Sequence, residues 1–244
     1  MLMTVAGLRV RYEPRSPDII RFFERFLTPD DASAPDVDVH ITDADFAAAA
    51  AARPAVSDLS REFGLLLEKL ADELPEFDAL FFHAAVVELD GRAYAFTARS
   101  GTGKSTHAAL WREHFGGRAR IINGDKPFFR RIDGVWYACG TPWGGKEGWY
   151  ENAMVPLGAI CFLEQGCVNR IVSLGEAEII DRVFRQTVMP ADPVRMEKYL
   201  SLLQSLIAAT PCYLLSCDIS GEAVRVASEG MIPSSRANAP GGTE

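Results

Sequence analysis

The chain has 244 residues, 48% of them hydrophobic and 24% charged, and carries a formal net charge of −8. Such a composition suits a globular protein that buries its own core, and the acidic balance argues against nucleic acid or an anionic membrane as partner. The five cysteines form no C-x-x-C pair and have no histidine at ligand spacing, so no zinc site or disulfide framework is expected. Reduced thiols, the lack of a leader-like start at Met1 to Gly7 and the lack of any long apolar run lead to the expectation of a cytoplasmic protein.

Leu8 to Tyr12 alternates apolar and polar residues and reads as a strand. A helix is predicted from about Asp18 to Leu27, opened by Pro17, with Ile19, Phe22, Phe23 and Phe26 on one face. Val37, Val39 and Ile41 alternate as a second strand, and the alanine-rich run Phe46 to Ala52 reads as a linker or a weak helix. Ser57 caps a helix to Leu74 whose apolar stripe is Leu59, Phe63, Leu66, Leu67 and Leu70, and Pro75 stops it. Residues 1–76 therefore read as a small α+β region.

Two strands follow, Leu80 to Leu89 and Arg92 to Ala98, joined by the hairpin pair Asp90-Gly91. The second runs into a glycine-rich turn and a helix from Lys104 to Phe115. Further strands are predicted at Arg120 to Ile122, Pro127 to Ile132 and, across Asp133-Gly134, Val135 to Cys139. A glycine-rich loop spans Gly140 to Gly148, and Leu157 to Leu163 reads as a buried strand. Helices from about Glu176 to Thr187 and Pro193 to Ala209, a strand at Cys212 to Cys217 and a helix from about Ser220 to Gly230 complete a domain at 77–232. The Ser-, Pro-, Gly- and Asn-rich residues 233–244 read as a disordered tail. Hairpins mixed with strand–loop–helix units predict an α/β fold whose sheet is mixed, with flanking helices.

The turn after the second strand carries the chemistry. Thr97 to Thr106 matches the phosphate-binding pattern G-x-x-x-x-G-K-[ST], with Ala98 in place of the first glycine. Ser100, Gly101, Thr102, Gly103, Lys104, Ser105 and Thr106 are the candidate nucleotide-binding residues. Glycine at 101 and 103 lets backbone N–H groups turn toward phosphate oxygens, Lys104 brings a charge to the β- and γ-phosphates, and the Ser105 hydroxyl is a Mg²⁺ ligand. The helix beginning at Lys104 adds its N-terminal dipole. ATP with Mg²⁺ is the expected ligand. Such sites hold the metal with an acid at the end of a neighbouring strand, and Asp125 in Asn123-Gly124-Asp125 is the candidate; the same tripeptide is also an ordinary turn signal.

With these residues in hand, the chain resembles the HPr kinase/phosphorylase catalytic domain and the looser HprK-related kinases, in the P-loop clan that includes ATP-dependent phosphoenolpyruvate carboxykinase. Besides the loop, the resemblance rests on Phe82-His83-Ala84-Ala85, Asp125-Lys126-Pro127, Gly140-Thr141-Pro142-Trp143-Gly144-Gly145 and Phe162-Leu163-Glu164. It implies an HPr kinase C-terminal-domain-like P-loop sheet and ATP-dependent transfer of the γ-phosphate to a hydroxyl of a peptide or small protein. His83, Lys104 and Asp125 would be its catalytic residues, with Ser105 and Asp125 on the metal. His83 matches a histidine that sits near the phosphates in that family; a histidine at a strand start is the plainer reading. Gly124 stands where the family has the first of two paired acids, so that Gly124→Asp would be expected to restore a base and raise transfer. A non-catalytic ATP-binding module, a small-metabolite kinase and carboxykinase-like chemistry are the alternatives. Arg99 and Lys146 are candidates to reach phosphate, Trp143 and Trp149 to pack on a nucleotide or peptide, and His107 and His114 read as structural. The acceptor is not readable from sequence, and a homo-oligomer is left open.

Overall fold

The computed structural model describes residues 1–29 and 33–232, so the tail expected at 233–244 lies outside the described residues. Strands β1 (Leu2–Val5) and β2 (Leu8–Tyr12) pair antiparallel, and β3 (Val37–Val39) joins β2 in parallel. Sequence patterning finds β2 and β3 but not β1, whose four residues are too few for a clear alternation. The helix expected at Asp18 to Leu27 is instead two 3-10 segments, Pro17–Phe22 and Glu24–Phe26. Phe23 leaves helical geometry between them (φ −109°, ψ 0°), and that break buries Ile19, Phe23 and Phe26 together. The alanine run is a helix, α1 (Asp43–Ala52). Thr42 and Asp45 cap each other's backbone N–H groups reciprocally, and alanine's propensity sustains a helix that buries none of its residues fully.

Helix α2 (Asp58–Glu73) lays Leu66, Leu67 and Leu70 on the small sheet, capped by Ser57. The same core takes in Phe81, Phe128, Cys139 and Trp143 from the later part of the chain. Glu62 lies inside it and accepts from the Tyr12 hydroxyl (2.7 Å) and from the backbone N–H groups of Arg15 (2.7 Å) and Ser16 (3.2 Å). Those bonds make the buried carboxylate tolerable.

A nine-stranded mixed sheet forms the rest of the described chain. Its main path runs β4 (Ala79–Phe81), β8 (Phe128–Ile132), β9 (Val135–Cys139), β10 (Met154–Gln165), β6 (Arg92–Thr97), β5 (Ala85–Leu89) and β7 (Ala119–Asn123). Strand β12 (Cys212–Cys217) pairs in parallel with β10 and carries β11 (Arg170–Ser173), a second short strand that sequence patterning misses. The first part of β10 pairs antiparallel with β9 and the remainder parallel with β6, so one long strand joins two sub-sheets. The single strand expected at Leu80 to Leu89 is two, because the chain crosses from β8 to β6 at His83. There Phe82 N–H donates to Pro127 O (3.1 Å), His83 N–H to Gln186 O (2.7 Å) and Ala84 N–H to Asp125 O (3.0 Å).

Helices α3 (Lys104–Phe115) and α6 (Gly221–Met231) cover one face of the sheet; α4 (Glu176–Phe184) and α5 (Pro193–Ala209) cover the other. Under α3, Trp111 is fully buried against Tyr94 and Phe96, and its indole N–H donates to His107 Nε2 (3.1 Å). His107 is structural, as expected; His114 is exposed with its ring edge against Phe115. Burial drives the His107 pKa down to about 4, below the ordinary 6.5. The unfolded chain thus takes up a proton near pH 6.5 that the folded chain resists until about pH 4, so stability is complete above that window and falls as pH drops through it. His107→Gln is expected to remove up to about 3 kcal/mol of that pH dependence. Urea unfolding of wild type and variant between pH 4 and 7 checks this, and parallel slopes would refute it.

Candidate functional site

Strand β6 ends at Thr97, and the glycine-rich loop turns from it into α3. Gly101 (φ +80°) and Gly103 (φ +117°) hold left-handed conformations that side chains disfavour, and a Cβ on either would project into open space rather than protein. The face of the loop is therefore bare backbone. Gly103 is the N-cap of α3 and gives it no side-chain cap, so the first-turn N–H groups are free for an anion. Lys104 is buried, and its Nζ makes one long hydrogen bond, to Ala98 O at 3.4 Å. Among the described residues no carboxylate lies within ion-pair distance of it. Burial lowers its pKa, an effect that Asp125 opposes at longer range.

Asp125 is placed by its own tripeptide. Asn123, fully buried at the end of β7, donates through Nδ2 to Thr141 O (2.9 Å) and accepts at Oδ1 from the N–H groups of Asp125 (2.9 Å) and Lys126 (2.8 Å). The carboxylate of Asp125 accepts from His83 Nε2 (3.0 Å) at one oxygen and from the Lys126 ammonium at the other. Burial alone would raise its pKa, but the bonds from His83 and Lys126 outweigh it and hold the group at about 2. His83 reaches this point because the strand breaks there: its backbone binds Gln186 while the next residue binds Asp125 O. In the tautomer that donates from Nε2 to Asp125, the ring lone pair lies on Nδ1.

A cavity of about 470 Å³ joins these parts. Lys104, Ser105, Asp125 and His83 all line it, as do Ser100, Gly101, Gly103 and Thr106; of the seven loop residues named from sequence only Thr102 does not. Lys146 and Glu147 form its outer wall, while Arg99 lines a larger neighbouring cavity of about 920 Å³ between the loop and α4. Sequence reasoning gave no role to Asn123 or Lys126, although the Asn-Gly-Asp turn signal contains the first and abuts the second. Nothing local marks Gln186.

Neither of the two tryptophans named from sequence lines the cavity. Trp143 is buried among Phe23, Phe63 and Phe128, with its indole N–H donated to Phe63 O (2.9 Å). The ring of Trp149 lies under the guanidinium of Arg112. Their loop is pinned rather than free: Gly124 N–H donates to Trp149 O (2.8 Å), Glu151 N–H to Ile122 O (3.0 Å), and Thr141 Oγ1 to Lys126 O (2.6 Å). A Cβ on Gly124 would lie 2.5 Å from Gly144 O and 3.4 Å from Trp149 Cβ. The paired acid expected from Gly124→Asp therefore has no room in this packing.

Among the described residues no cluster of three or more His, Cys, Asp or Glu is placed to hold a metal. One ionised carboxylate and one hydroxyl, Asp125 and Ser105, match the donor set of Mg²⁺ held mainly by phosphate and water oxygens. No described helix is long and apolar enough to cross a membrane.

No family model matches the chain, and no curated protein matches it. Among solved structures it is similar to the Hpr(Ser) kinase/phosphatase from Coxiella burnetii, with 12% identity and a TM-score of 0.30 over 50% of this chain and 86% of that one. A likeness of that size carries no weight for activity, and the functional reading rests on the residues of the cavity.

Proposed function

We propose that this chain is an ATP-dependent phosphotransferase that moves the γ-phosphate to a hydroxyl, most simply a serine of a peptide or small protein. The observation that carries this is Lys104: a buried ammonium with one weak partner, at the base of a bare-backbone loop and across a cavity from an ionised acid. A buried charge so poorly compensated is stable in company with an anion. The loop N–H groups and Lys104 hold the β- and γ-phosphates, and Ser105 with Asp125 holds Mg²⁺, which supplies charge neutralisation of the transferring group. Lys126 Nζ bonds the second Asp125 oxygen and would have to yield it to the metal.

In the transfer, the bond between the γ-phosphorus and the β-bridging oxygen breaks as the acceptor oxygen bonds to phosphorus, and ADP departs. The acceptor proton goes to His83 Nδ1. Asp125 is too acidic to be the base at neutral pH and instead orients His83 through Nε2. The larger cavity gives an acceptor its approach: it shares Ser100 and Gly101 with the site and is bounded by Gln186, whose carbonyl binds His83 N–H. Arg182–Glu164 and Arg185–Asp181 pairs make its wall polar, which suits a peptide.

Asp125→Asn tests this reading. Phosphate transfer from labelled ATP to serine peptides should fall by about a hundredfold or more, since both the metal ligand and the partner of His83 lose their charge. Binding of ATP without metal should persist. Unchanged turnover at saturating Mg²⁺ would show that another group does this work.

A further inference from the structure

The larger cavity, about 920 Å³ between the loop and α4, has two buried polar residues in its lining, Thr97 and Gln186. Both hold His83: the Thr97 hydroxyl donates to His83 O (2.8 Å), and Gln186 O accepts from His83 N–H (2.7 Å). Their side chains differ. The Thr97 hydroxyl is committed to that bond, whereas Oε1 of Gln186, on a residue only 8% exposed, has no partner among the described residues. Buried amide oxygens left unpaired are rare in native proteins, and this one stands in a cavity wall beside the base. We propose that Gln186 is a specificity-determining residue of the transfer, its Oε1 accepting a hydrogen bond from the main-chain N–H of the residue that carries the acceptor hydroxyl.

The inference rests on the phosphotransferase reading and adds the group by which the acceptor is recognised. The hydroxyl must come within hydrogen-bond reach of His83 Nδ1, and Gln186 is bonded to the His83 backbone. In a serine the main-chain N–H lies a few bonds from the hydroxyl, so one residue can meet both groups. The terminal torsion of glutamine is soft, and a turn about it brings Oε1 from its sealed position to the cavity. Apart from the exposed Arg99 on the loop itself, the charged groups of the wall are engaged. Arg182 is paired with Glu164, Arg185 with Asp181, and Glu178 accepts from Gly175 N–H (3.3 Å). Phe162 and Leu163 are buried and add apolar surface. A neutral donor such as an amide N–H is what this wall is left to recognise.

Gln186→Leu removes the oxygen but keeps the volume of the side chain and the main-chain carbonyl that holds His83. The probes are the serine peptide that wild type phosphorylates best in a degenerate library and its ester analogue, in which oxygen replaces the N–H of the reacting serine. Wild type should favour the amide in kcat/KM by at least about tenfold. Gln186→Leu should show no preference, at unchanged ATP affinity. Its thermal midpoint should be as high as that of wild type or higher, because an unpaired buried amide is lost. Equal use of amide and ester by wild type would overturn the proposal without any variant. So would an amide preference that survives in Gln186→Leu. Transfer to glycerol with no peptide phosphorylated would also overturn it, while leaving the phosphotransferase reading intact. Absence of transfer to any hydroxyl, water included, would overturn that reading itself.

Discussion

Lys104→Ala is expected to weaken Mg-ATP binding by at least about a hundredfold while leaving the protein as stable as wild type or more so. The two halves of this result have one cause. In the folded protein the ammonium is buried, bonded only to Ala98 O at 3.4 Å and shifted to lower pKa by that burial, so it contributes desolvation cost and little pairing. Removing it relieves the cost. Phosphate oxygens would compensate the same charge through short, charge-assisted bonds, and the variant loses these. Calorimetry and thermal unfolding on the same samples check both parts. A stable variant with wild-type affinity would remove the phosphate site from the loop; a variant that lost stability together with binding would make Lys104 a structural residue.

How much of this was legible depends on the distance along the chain over which each contact is made. The loop could be read because its seven residues are consecutive and their spacing is the chemistry, and α3 because it starts at once from them. Asp125 could be named from the strand before it. His83 could be named, but the reason for its position could not: a mostly apolar run from Leu80 to Leu89, interrupted by His83 and Glu88, hides a break that only Pro127, Gln186 and Asp125 enforce. Trp143 fails as a ligand platform for the same reason. Trp143 is bound to Phe63, 80 residues earlier, and nothing around Trp143 in sequence announces that partner. Likewise the helix expected near Asp18 gives way to 3-10 turns because Phe23 must turn inward against Phe63 and Trp143.

Gly124→Asp is the sharpest case of sequence logic meeting packing. On resemblance alone the substitution adds a second acid beside Asp125 and raises transfer. The structure reverses the sign. Gly124 needs no left-handed backbone; what it needs is space, since a Cβ would sit 2.5 Å from a backbone oxygen, Gly144 O, which no rotamer change can move. Gly124 N–H is also bonded to Trp149 O, so the strand end and the loop would have to part. Overpacking of this kind costs roughly 1–3 kcal/mol, and a carboxylate forced next to Asp125 adds like-charge repulsion against a group held ionised at about 2. Both Gly124→Ala and Gly124→Asp should therefore lower the unfolding midpoint, and both should reduce phosphate transfer, Asp more than Ala. The alanine variant separates volume from charge: a stable Gly124→Ala with normal transfer would show that the loop yields. If Gly124→Asp kept the wild-type midpoint and transferred phosphate faster, the paired-acid arrangement would be accessible to this fold after all, and His83 would lose its place as the base.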